Sequence, residues 1–162
     1  MKGIAIGLSN NSKEILKRLK KPEFVKDIYI AGASKVYGKE NELIKVQKPR
    51  EILLKKWPEI DLIIFVGSIA ASIRIINSFL TSKDQDPGVI VMDNKCSKIV
   101  PLIGIHQSNT QNIACQIANL FGGEIIETNN SNDQRFLNID AFGNQWGWKR
   151  SGNIKDLSLI HI

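Results

Sequence analysis

Short apolar runs alternate along this chain with amphipathic stretches of about a dozen residues. Gly3 to Leu8 is the first run, and Ser9-Asn10-Asn11-Ser12 behind it offers N-cap candidates for a helix reaching Leu19. Ile15, Leu16 and Leu19 share one face of that helix, and Pro22 ends it. Asp27 to Ala31 predicts a second strand, followed by a loop from Gly32 to Glu42 rich in Gly, Ser and charge. Pro49 suits a first helical turn and opens a helix through Leu53, Leu54 and Trp57, which Pro58 stops. Asp61 to Val66 is apolar on both faces, as central strands of parallel sheets are. Gly67-Ser68 then opens a helix, Ile69 to Leu80, whose β-branched residues imply deep burial. Gly88 to Met92 is a further strand, turned by Asp93-Asn94-Lys95 into a partner at Lys98 to Ile103. Pro101 cannot donate to a ladder, so that partner should lie at an edge or carry an irregularity. A helix from Asn109 to Phe121 ends at Gly122-Gly123, Glu124 to Glu127 is a last short strand, and Phe136 to Trp146 a final helix.

Strands alternating with helices imply an α/β fold: a mostly parallel twisted sheet flanked by helices, Rossmann- or flavodoxin-like in three layers, with one antiparallel hairpin. Ile4–Leu8, Ile28–Ala31, Leu62–Val66 and Val89–Met92 should be neighbouring strands. Residues 1–148 read as one α/β domain, and 149–162 as the start of a linker or a further domain. In such sheets ligands bind beyond the carboxyl ends of the strands. Four junctions qualify: Gly7–Ser12, Gly32–Tyr37, Gly67–Ser72 and Gly104–Asn109.

Charge narrows the partner. Twenty-two Lys and Arg against 16 Asp and Glu leave a net +6, which favours an anionic ligand or surface. Much of the excess lies in Lys13, Lys17, Arg18, Lys20 and Lys21 and in Lys45, Lys48, Arg50, Lys55 and Lys56, where solvated faces of two early helices are the plainer reading. Nucleic acid is disfavoured, because neither an RNP-like interleaving of aromatic and basic residues nor a helix-turn-helix signal occurs. No apolar run approaches the length of a membrane span, no cleavable leader pattern is seen, and Cys96 and Cys115 lack metal-ligand spacing. The expected location is cytoplasmic.

Gly67-Ser68 is the strongest candidate junction, since a helix N-terminus presents unpaired N–H groups and a positive dipole end to an anion. It is neither a Walker loop nor a dinucleotide fingerprint. His106 follows a strand end and could serve as general base or hydrogen-bond donor, or simply as a structural residue. Arg74 could pair with Asp93 or clamp a ligand carboxylate, the ion pair being the plainer reading. Trp57, Trp146 and Trp148 read as core or interface aromatics, and both cysteines as inert.

Several motifs taken together resemble the amino-terminal domain of the cobalt-precorrin 5A hydrolases, the CbiG family. They are Phe65-Val66-Gly67-Ser68-Ile69-Ala70-Ala71-Ser72-Ile73-Arg74, Lys83-Asp84-Gln85-Asp86-Pro87, Val89-Ile90-Val91-Met92-Asp93 and Pro101-Leu102-Ile103-Gly104-Ile105-His106. The resemblance is good over 61–123 and loose over 124–148. Ile105 stands where the family has glycine, and Ser108-Asn109 where it has a glycine pair.

The resemblance implies a role in cobalamin biosynthesis: hydrolytic opening of the ring A lactone of cobalt-precorrin 5A, with release of acetaldehyde. It implies an acidic tetrapyrrole substrate that itself carries the cobalt, with no other cofactor and no metal bound by the protein. Gly67 and Ser68 would supply N–H donors, His106 a base or oxyanion partner, and Arg74, Lys98 and Ser108 contacts to the substrate. It further implies a carboxyl-terminal domain beyond this sequence, or fusion to a precorrin methyltransferase. The alternative is a non-catalytic tetrapyrrole-binding domain that docks substrate for such a methyltransferase.

Overall fold

A computed structural model describes residues 2–20, 24–32, 44–104 and 109–126, all within one compact unit, Met1–Glu127. Its seven strands are β1 (Gly3–Gly7), β2 (Asp27–Ala31), β3 (Ile44–Gln47), β4 (Leu62–Val66), β5 (Gly88–Met92), β6 (Lys98–Ile103) and β7 (Glu124–Ile125). Four α-helices join them: α1 (Lys13–Lys20), α2 (Pro49–Lys56), α3 (Ile69–Ile76) and α4 (Thr110–Phe121). The strand order is β3-β2-β1-β4-β5-β6-β7. Every pairing is parallel except β5 with β6, so β6 and β7 run against the other five strands.

Period-two alternation sorts the core into two layers. Ala5, Ile28, Ile30, Leu62, Ile64, Val66, Ile90 and Met92 point toward α1 and α4, where Leu16, Leu19, Ile113 and Ile117 meet them. Ile4, Ile6, Tyr29, Ile63, Phe65, Val89 and Val91 point the other way, toward Ile52 and Leu53 of α2 and Ile76 of α3. Each fully buried Ile, Leu or Phe contributes about 1.5–3 kcal/mol. Trp57 stacks on Phe79 at 5.4 Å between ring centroids and closes the α2–α3 side, in keeping with a packing role.

The four strands expected to be neighbours are β2, β1, β4 and β5, in that order. Three details differ. β3 was not anticipated. The helix from Ile69 ends at Ile76 rather than Leu80, the turn Asn77–Phe79 following it. That helix is also not deeply buried, for only Ser72 and Ile76 are, while Ile69 and Ile73 are 42% and 45% exposed.

Pro101 sits as its missing N–H requires. The β5–β6 ladder shifts register between Val89 and Ile90, and β7 pairs only with Lys98 and Ile99, stopping short of the proline. α4 ends on Gly122 at φ 71°, whose N–H donates to the Ala118 carbonyl. The loop after Gly32, His106, Ser108, and everything expected beyond residue 126 lie outside the described residues.

Candidate functional site

The strand order reverses between β1 and β4: the chain leaves β1 toward β2 and β3 on one side, and returns to place β4 on the other. The carboxyl ends of β1, β4 and β5 therefore open one crevice. Backbone hydrogen bonds tie its floor together, Leu8 N–H to Val66 O at 2.9 Å and Gly67 N–H to Met92 O at 2.8 Å. From opposite sides the Ser9 hydroxyl and the Asn94 side-chain oxygen approach to 3.5 Å.

Gly67 is required where it stands. Its φ is +153°, and a Cβ there would lie 2.8 Å from Leu8 Cβ. The chain can then enter α3 at once. Ser68, in extended conformation, caps the helix: its Oγ accepts from Ala71 N–H at 3.4 Å, and its carbonyl accepts from Ser72 N–H at 3.1 Å and Ser72 Oγ at 3.0 Å. Helix geometry leaves the Ile69 and Ala70 N–H groups without an intrahelical acceptor.

Asp93 closes the third side of the crevice. Its carboxylate accepts from Lys98 N–H at 2.8 Å, Ser97 Oγ at 3.0 Å and Lys95 N–H at 3.2 Å. Burial pushes this carboxyl up, but the Lys98, Ser97 and Lys95 donors outweigh it and hold the group below its ordinary value. The expected pairing of Arg74 with Asp93 is not formed. Asp93 is occupied by its own turn, and Arg74 is exposed on α3 with no ion pair among the described residues. Cys96, buried in the same turn, has its thiol pushed up by burial first and by the Asp93 charge second, consistent with an inert side chain.

Lys98 also lies at this rim, but its ammonium already pairs with Glu124. His106 and Ser108 are outside the described residues, yet the residue that tethers them is not. β6 runs against β5, so Gly104 leaves the sheet beside Gly88, while Gly67 is level with Asp93. Five residue steps of strand, about 16 Å, separate the two levels. The described backbone thus brings Gly67, Ser68, Asp93 and Lys98 together and leaves Gly104 at the opposite rim. Ser9 lies in the Gly7–Ser12 junction expected to line the crevice, whereas Asn94 was missed, although it closely follows the Gly88–Met92 strand and that position was its signal. Among the described residues no three His, Cys, Asp or Glu side chains gather in a group that could hold a metal ion, and no helix is long and apolar enough to cross a membrane.

Residues 51–132, about half of the chain, match a family described as cobalamin synthesis G N-terminal. Cobalt-precorrin-5A hydrolase from Priestia megaterium is 27% identical over 86 residues, which cover 53% of this chain and 23% of that protein. A crystal structure of a cobalamin biosynthesis protein G homolog from Sulfolobus solfataricus shares the fold, with a TM-score of 0.57 and 20% identity over 98% of this chain. The chain spans 44% of that structure, so it is similar to less than half the length of either relative.

Proposed function

Because the chain belongs to the cobalamin synthesis G N-terminal family, we propose that it binds a cobalt-precorrin and takes part in the hydrolytic opening of that substrate's ring A lactone. The match across residues 51–132 is the observation that carries this reading, since it contains α3, the β5–β6 hairpin and the crevice rim at Gly67 and Asp93. Lactone opening needs a water delivered to the acyl carbon, donors for the oxyanion that forms, and a base for the water's proton. The Ile69 and Ala70 N–H groups behind Ser68 suit the donor role. Gly67 lets the backbone approach a ligand closely, and His106 is the base this reading requires, although Gly104, two residues before it, leaves the sheet at the opposite rim. A net charge of +6 suits a substrate ringed by carboxylates, whose own cobalt needs no protein ligand set.

The distance between the rims of Gly104 and Gly67 favours a second reading, in which the domain holds the tetrapyrrole for a catalytic domain or a fused methyltransferase. One experiment separates the two. The chain is titrated with a cobalt corrinoid polycarboxylate at low and high ionic strength, then given the lactone substrate while acetaldehyde is followed. Binding that weakens steeply with salt, with acetaldehyde released and then lost by about two to four orders of magnitude in His106→Ala, supports hydrolysis. Salt-sensitive binding without acetaldehyde supports the docking role. Salt-independent binding, or tighter binding to DNA, overturns both.

A further inference from the structure

α3 faces water with the wrong chemistry for water. Among the described residues five large apolar side chains are exposed, and three of them, Ile69, Ile73 and Leu80, fall on α3 or just beyond its end. Ile69 and Ile73 are one turn apart and form one row of the outer face; Ala70 and Arg74 form the row beside it. The helix contains no acidic residue, and Arg74 has no acidic partner among the described residues. Nearby, Arg50 of α2 donates to Ser78 Oγ at 2.8 Å, which adds a second guanidinium at the foot of this helix.

Each candidate occupant must satisfy that combination. A second copy packed on the same face would bring Arg74 toward its own mate with no carboxylate between them, which is repulsive. A purely apolar partner would bury Arg74 unpaired, at a large desolvation cost. The geometry points to a ligand that is flat and apolar on one side and anionic at its edge: the face of a polycarboxylate tetrapyrrole laid on Ile69 and Ile73, with an edge carboxylate paired to Arg74. This assignment rests on the cobalt-precorrin reading and adds the surface that holds the macrocycle, beside the helix end that faces its lactone.

The test uses the whole chain and a cobalt corrinoid polycarboxylate as probe, with affinity read by absorbance titration. Arg74→Met, which keeps the apolar stem and removes the charge, should weaken binding about tenfold and flatten its salt dependence. Ile73→Glu should weaken it about tenfold or more, because it sets a carboxylate against the ligand's own. Lys13→Gln, which removes a cation from α1 across the sheet, should leave affinity within about twofold. Both α3 positions are exposed, and circular dichroism checks that each variant is folded. If the native chain binds the probe and neither α3 variant changes affinity, this surface is wrong while the cobalt-precorrin reading stands. If the native chain does not bind the probe, both fail together. Loss of a native dimer in Ile73→Glu, or loss of binding to anionic lipid vesicles without loss of probe binding, would also overturn the assignment.

Discussion

Asp93→Ala should loosen the β5–β6 hairpin by an amount the structure allows to be worked out. The carboxylate accepts three hydrogen bonds, from Lys98 N–H, Ser97 Oγ and Lys95 N–H, at 2.8 to 3.2 Å. Bonds to a charged acceptor can be worth about 1.5–3 kcal/mol each, but this turn is part-exposed and water can replace the lost acceptor. About 0.7 kcal/mol per bond is the fitting scale, for a total near 2 kcal/mol. In a chain of this size that lowers Tm by roughly 4–8 °C. Asp93→Asn keeps one acceptor oxygen and should lose about half as much.

The pH dependence gives a sharper check. The native carboxyl lies below the ordinary 3.8, so its stabilisation is complete above that value and disappears as pH falls through the lower native value. Urea unfolding of the native chain and of Asp93→Ala should show the full gap near neutral pH. The gap should shrink well below pH 3.8. A gap that is absent at neutral pH, or that stays constant with acidification, would refute the claim that the ionised carboxylate clamps this turn.

Two further substitutions test the frame around the crevice. Gly67→Ala should cost about 2 kcal/mol or more, because the backbone there is at φ +153° and the new Cβ meets Leu8; an unchanged urea midpoint would show that the β4–α3 junction tolerates a side chain. Arg18→Ala should cost about 1 kcal/mol, since its guanidinium donates to the Leu120 carbonyl at the end of α4 at 2.9 Å and lies 4.3 Å from the centre of the Phe121 ring. A change no larger than that of Lys13→Ala on the same helix would count against that role.

The sheet was legible because its central strands are short, apolar and bounded by turn residues. Gly88–Met92 and Lys98–Ile103 appear with the limits their sequence implies. β3 escaped because Ile44-Lys45-Val46-Gln47 is brief and half polar, as an edge strand can be, and it follows a long polar stretch. α3 misled for the opposite reason. Isoleucine stands at 69, 73, 75 and 76, so its pattern marks no polar side, and only the structure shows that 69 and 73 face outward. The site was half legible. Gly and Ser after strands located the crevice at Gly67, but the same rule was applied to the residues after Ile103. β6 runs the other way, so that strand ends at the opposite rim, a consequence already contained in the expected antiparallel hairpin.

The outer edge of β6 bears on how the protein avoids self-association. A sheet margin with free N–H and C=O groups is a template on which another chain can add a strand, and growth of that kind leads to fibrils. Among the described residues β7 covers Lys98 and Ile99, and the next part of that margin contains Pro101, which has no N–H to offer an incoming strand. The shifted register beside it adds twist where a flat strand would need to dock. Among the described residues, a two-residue strand and the proline beyond it together guard this margin. Replacing Pro101 with valine would keep the strand while restoring the missing donor, opening a route to aggregation that the native sequence closes.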